Sequence, residues 1–189
     1  MASPFVALLD ANVLYPAPLR DFLLRLADDQ FFAPKWSSEI HDEWTRNLLE
    51  NRPDLTLAQI ARTRARMDAA FSDALVAGYE SRIPALANHP KDRHVLAAAI
   101  QGDARWIVTF NLKDFPDDVL FPHRIEAIHP DRFVLKLCES GPEEVVQMIR
   151  QHRAQLTRPP KTAREYLDSL ETCGLVRTAQ RLREFEGQL

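Results

Sequence analysis

Trp106-Ile-Val-Thr-Phe-Asn-Leu-Lys-Asp114 passes from an apolar run into polar residues within a few positions. A short, unbroken apolar run of this kind fits a strand buried on both faces of a parallel sheet. Phe5-Val-Ala-Leu-Leu9 is a second such run, and it stops at Asp10. Helical spacing fills the intervals. Leu19, Phe22, Leu23 and Leu26 predict an amphipathic helix over 18–29. Ser37 or Ser38 can cap a helix that carries Ile40, Trp44 and Leu48 on one face and ends at Pro53. Ile60, Met67, Phe71 and Ala74 or Leu75 predict a long helix over 57–78, and Val95, Leu96, Ala99 and Ile100 a helix that follows Asp92 and closes near Gly102. Phe31–Ala33, Ile125–Ile128 and Phe133–Leu137 read as further short strands. Strands that alternate with helices give an α/β fold with a central parallel sheet covered by helices on both faces. Sites in such folds lie at the carboxyl ends of strands. Asp10 follows one core strand, and Asn111 and Asp114 follow the other.

The chain has 189 residues, enough for a full core, with 46% hydrophobic and 27% charged residues, so wholesale disorder is excluded. No apolar stretch is long enough to span a bilayer, and no secretory leader is expected. Cys138 and Cys173 lack the spacing of a zinc site or disulfide framework, which points to a reducing cytoplasm. A net charge of −3 argues against a binder of nucleic acid by general electrostatics. Two local basic patches remain: Arg62, Arg64 and Arg66, and then Arg150, Arg153, Arg158, Lys161 and Arg164 with His152. Each reads either as a solvated surface or as a grip on nucleic acid.

After Ser140 the character changes. Ser140-Gly-Pro-Glu143 has the capping-box pattern, a break follows at Thr157-Arg-Pro-Pro160, and Thr162-Ala-Arg-Glu165 is a second capping box. Tyr166, Leu167, Leu170 and Leu175 then form an apolar face. The expected organisation is an α/β domain over 1–139 and a helical extension over 140–189.

Four acids stand where chemistry could occur, and each has a bland alternative. Asp10 can simply make an Asx turn at a strand end, Glu43 can be a solvated helical glutamate, Asp92 can be a helix cap, and Asp114 a turn residue before Pro116. As a set they suit divalent metal. Phosphodiester hydrolysis by a metal pair needs hard oxygen ligands that hold ions about 3.5–4 Å apart, and magnesium takes only one or two carboxylates per ion.

Leu8-Leu-Asp-Ala-Asn-Val-Leu14, Lys91-Asp-Arg-His-Val-Leu-Ala-Ala-Ala99 and Ile107-Val-Thr-Phe-Asn-Leu-Lys-Asp-Phe115 resemble, in order and spacing, the three motifs of PIN domains. The resemblance spans about 4–137. Trp36-Ser-Ser-Glu-Ile-His-Asp-Glu43 is similar to the second segment of bacterial PIN proteins of the VapC toxin type. It implies a PIN-like three-layer α/β/α domain, with Asp10, Glu43, Asp92 and Asp114 as catalytic, metal-binding acids for Mg²⁺ or Mn²⁺. Asn12, Thr109 and Asn111 fall on supporting positions. Glu39 or Asp42 replaces Glu43 if the register shifts, His94 reads as structural, and Asp103 as a surface residue.

The implied activity is endonucleolytic hydrolysis of RNA, tRNA included, that leaves a 5′ phosphate. The implied partners are a cognate antitoxin and a second copy of the chain, in a type II toxin–antitoxin pair. Two other classes share the pattern: a structure-specific RNA or DNA nuclease outside toxin systems, and a catalytically silent PIN module that only binds. A receiver-like phosphorylation domain ranks low, because its early acidic pair is absent.

Overall fold

The computed structural model describes residues 5–157 and 159–189. In chain order the elements are β1 (Phe5–Leu9), α1 (Ala11–Leu14), α2 (Ala17–Asp28), β2 (Phe32–Ser37), α3 (Ser38–Asn51), α4 (Leu57–Ala70), β3 (Leu75–Val76), α5 (Arg93–Gln101), β4 (Trp106–Val108), α6 (Asp117–Leu120), β5 (Glu126–Ile128), α7 (Pro130–Ser140), α8 (Pro142–Gln155), α9 (Ala163–Thr172) and α10 (Val176–Arg183). They form two compact units. One comprises the chain up to Tyr15 with Phe32–Ile128, the other Pro16–Phe31 with His129–Leu189. Among the described residues, no helix is long and apolar enough to cross a membrane.

The first unit holds a five-stranded parallel sheet in the order β3-β2-β1-β4-β5, so the expected α/β class is realised. Ala7, Leu8 and Leu9 of the central strand are completely buried, which is why β1 has no polar face in its sequence. The chain runs outward from β1 through β2 to β3, then crosses back to place β4 on the other side of β1. The reversal makes the β1/β4 junction the topological switch point, where the crevice at the carboxyl ends of the strands opens.

Local chemistry sets the helix starts. Ser37 Oγ accepts from Ile40 N to start α3, and Thr56 with Gln59 makes a capping box that starts α4. The helix expected over 57–78 stops at Ala70. Phe71 leaves helical geometry, β3 follows, and Gly78 takes φ +75°. Apolar residues spaced for a helix there serve a strand and a turn instead.

In the second unit, the strand expected over 133–137 is helix α7. His129 Nδ1 accepts from Asp131 N, and Pro130 occupies the first turn, two helix-start signals that outweigh the apolar run. The capping box expected at Ser140 does not form. Ser140 Oγ donates to Lys136 O within α7, and Gly141 precedes α8 without a side-chain cap. The box at Thr162 and Glu165 does form and starts α9. Tyr166, Leu167, Leu170 and Leu175 are all buried.

Asp131 ties α7 to α10 within this unit. Its Oδ1 accepts from Thr178 N at 2.8 Å and Thr178 Oγ1 at 2.7 Å, and its Oδ2 from Arg177 N at 3.0 Å. The carboxylate thus satisfies amides that the first turn of α10 leaves without helical partners.

Candidate active site

Asp10 closes β1 and begins α1, with only 5% of its surface exposed. The Asx-turn reading is half of its role: Oδ1 accepts from Ala11 N at 2.7 Å. The other oxygen looks across the switch point. Oδ2 accepts from Thr109 Oγ1 and from Asn12 Nδ2, both at 2.7 Å. Thr109, wholly buried just past β4, also accepts from Asn12 Nδ2 at 2.9 Å and from Asn111 N at 3.0 Å. Asn12 Oδ1 accepts from Phe110 N at 3.2 Å. One hydroxyl and one amide therefore lock the end of β1 to the end of β4 and fix the rotamer of Asp10.

Burial is the main force on this carboxyl, and it pushes the pKa from 3.8 up to about 6. The Thr109 and Ala11 hydrogen bonds pull the other way, while the charges of Glu43 and Asp92 add to the rise. Asp92 is also raised, first by burial and then by the charge of Asp114. Asp10 thus feels Glu43 and Asp92, and Asp92 feels Asp114. Asp92 stands at the start of α5 but makes no capping bond; its Oδ2 lies 3.2 Å from His89 Nδ1. Asp114 sits in a 3-10 turn anchored by Asp114 N donating to Asn111 O.

The register on α3 is also visible. Asp42 points outward and pairs with Arg64 at 2.6 Å, whereas Glu43 Oε1 lies 3.1 Å from His94 Nε2 and Glu39 Oε2 3.7 Å from His94 Nδ1. His94 itself is buried, without an aligned hydrogen bond to either ring nitrogen. Burial lowers its pKa, but Glu43, Glu39 and Asp10 outweigh that and raise it overall. Sequence reading took His94 as structural and Glu39 only as an alternative to Glu43, and did not place the two together. The available signal was a histidine directly before the apolar run Val95–Ala99, on a helix that follows an aspartate.

The basic residues divide. Arg62 and Arg66 are exposed on α4, and Arg64 is tied to Asp42. Arg150 and Arg164 are exposed in the second unit. Arg153 donates to Leu189 O and Lys161 O, bonds internal to that unit. Arg158 lies outside the described residues. Asp103 is on the surface, as expected.

Among the described residues, no three of His, Cys, Asp or Glu stand close enough together to form a ready-made metal cage. The donor chemistry nevertheless fits a hard divalent cation. The acids offer only oxygen, one is desolvated, and they repel one another until a positive charge is supplied.

Residues 6–113 match the PIN domain family, and residues 130–184 match the family described as VapC50 C-terminal domain. Asp10, Glu43 and Asp92 fall within the first match, which ends one residue before Asp114. The chain is 45% identical over 100 residues to a Mycobacterium tuberculosis protein named "Putative ribonuclease VapC50". The similarity covers 53% of this chain and 59% of that protein, so it spans about three fifths of the relative's length. No solved structure matches the chain. From β1 through β4 and the turn beyond it, the chain belongs to the PIN-domain family.

Proposed function

We propose that this protein is an Mg²⁺- or Mn²⁺-dependent endoribonuclease that hydrolyses RNA phosphodiester bonds. Asp10, Glu43, Asp92 and Asp114 are its metal-holding catalytic acids. The observation that carries the reading is Asp10, a buried carboxylate at the switch point with a pKa raised to about 6 and an orientation fixed by Thr109 and Asn12. A carboxylate in that state is costly to the apo fold and gains most from a cation beside it.

When bound, the metal supplies Lewis acidity and positive charge opposite the phosphate. The chain's part is placement. Asn12 and Thr109 keep Asp10 Oδ2 aimed into the crevice, and Thr109 accepts from Asn111 N to set the turn that presents Asp114. Asp92 makes no capping bond, and its Oδ2 faces His89 Nδ1 at 3.2 Å. Hydrolysis consumes one water and yields a 3′ hydroxyl and a 5′ phosphate.

Exposed Arg62 and Arg66, with Arg150 and Arg164, are the candidates for holding the RNA backbone. Arg64, Arg153 and Lys161 belong to the same basic stretches, but Arg64 and Arg153 have protein partners to leave first. The similarity to a protein named "Putative ribonuclease VapC50" supports the ribonuclease reading. The VapC-type resemblance extends the proposal to a toxin role in the cytoplasm, with a cognate antitoxin and a homodimer as partners.

The test is cleavage of labelled total RNA, tRNA, single-stranded DNA and duplex DNA at one low salt concentration, with Mg²⁺, with Mn²⁺ and with EDTA. The expected result is metal-dependent cut RNA with 5′ phosphate ends. Preferential cutting of DNA moves the protein to the structure-specific nucleases, and metal-dependent binding without any cutting makes it a silent module.

A further inference from the structure

The geometry points to His94 as a positioning residue for the site, holding Glu43 through its Nε2 and Glu39 through its Nδ1. The inference rests on the reading of Glu43 as a metal ligand and extends it to the residue that places it. His94 is 5% exposed, and its two ring nitrogens have no aligned hydrogen bond. The groups they face are the Glu43 carboxylate at 3.1 Å and the Glu39 carboxylate at 3.7 Å.

Glu39 and Glu43 are four residues apart on α3, one helical turn, so both project from the same side of that helix. The imidazole, carried by α5, stands between them. The same Glu39 Oε2 also accepts from the hydroxyl of buried Tyr79 at 3.4 Å. The long side chain of Glu43 has three torsions to fix before it can serve a cation, and His94 is the neighbour in place to restrict them. Asp92, the second acid of the proposed site, stands at the N-cap of α5 two residues before His94. Outer groups that orient metal-binding carboxylates typically change metal affinity by about 10–100-fold when removed.

The experiment is Mn²⁺ titration of the full chain by calorimetry, without RNA, for wild type, Glu43→Gln, His94→Leu, His94→Gln and the double variant Glu43→Gln/His94→Leu. His94→Leu fills the same volume without a donor, and His94→Gln keeps an N–H near the Nε2 position. The expected result is binding at least about tenfold weaker in His94→Leu and within about threefold of wild type in His94→Gln. The double variant binds no more weakly than Glu43→Gln, because His94 acts through that carboxylate.

If Glu43→Gln weakens binding and His94→Leu does not, the positioning role is wrong and the site reading stands. If Glu43→Gln binds like wild type, the assignment of Glu43 is itself wrong and the role of His94 falls with it. Should His94→Leu fail to fold, His94→Asn, too short to reach Glu43, takes its place under the same criteria.

Discussion

Thr109 Oγ1 donates to Asp10 Oδ2 at 2.7 Å, joining two residues 99 positions apart in sequence. That bond links the carboxyl ends of β1 and β4, the one place where the sheet topology opens a crevice. Its loss has a defined consequence. Thr109→Val keeps the shape but leaves Asp10 Oδ2 short of a donor and Asn111 N without its acceptor.

The Asp10 pKa in Thr109→Val, followed by carboxyl carbon NMR in EDTA, rises beyond the wild-type value of about 6, because the bond that lowered it is gone. Thr109→Ser retains the hydroxyl and stays near wild type. A lower pKa in Thr109→Val contradicts the assigned bond.

Asp10 also sets a pH dependence of stability in the metal-free protein. Its folded pKa, about 6, is above the unfolded value of 3.8, so between those limits the folded state holds the extra proton. Stability contributed by this group is present at low pH and lost as pH rises toward and through 6. The shift corresponds to at most about 3 kcal/mol. Urea unfolding in EDTA at pH 7 therefore finds Asp10→Asn as stable as wild type or more so. A clear loss of stability in the variant refutes the sign.

The opposite sign belongs to His41. Trp44 Nε1 donates to His41 Nδ1 at 2.9 Å, so the proton is on Nε2 and points to Asp68 Oδ1 at 3.0 Å, which also accepts from Trp36 Nε1. Burial lowers this pKa below 6.5 and Asp68 only partly opposes it. The fold loses stability as pH falls below about 6.5, where the unfolded chain gains a proton that the neutral, buried ring does not. Asp68→Ala, which strands two buried donors, costs about 2–4 kcal/mol by urea unfolding at pH 7.5. Asp68→Asn keeps an acceptor and costs less.

In the second unit, Asp131→Ala removes three bonds from the first turn of α10. Hydrogen exchange of the α10 amides accelerates, with a local loss of about 2–4 kcal/mol. Unchanged protection there removes Asp131 from its assigned role.

What was readable in the chain divides along physical lines. β1 and β4 were legible because a doubly buried parallel strand has no polar face. Asp10 stood out because the first run stops on it, and Asp114 because it follows the second run after one short polar turn. β2 was seen only at its start, since Pro34 and Lys35 break the apolar signal while the strand continues to Ser37. β3 has two residues, too few for any period to show. α7 was misread because Phe133, Val134 and Leu137 suit either element within so short a window, and the decision lay with His129 and Pro130 before them. The Arg62, Arg64 and Arg66 patch looked uniform, yet Arg64 alone finds Asp42, a partner 22 positions earlier that alternation cannot reveal. His94 was hidden for the same reason: its meaning depends on two carboxylates from a distant helix.

The most direct test of the central claim is the single-turnover rate of RNA cleavage in Mg²⁺ by wild type and by Asp10→Asn at equal fold content. The site as described predicts at least about a hundredfold lower rate in the variant and no cleavage by either protein in EDTA. Equal rates, or cleavage that survives EDTA, contradict it.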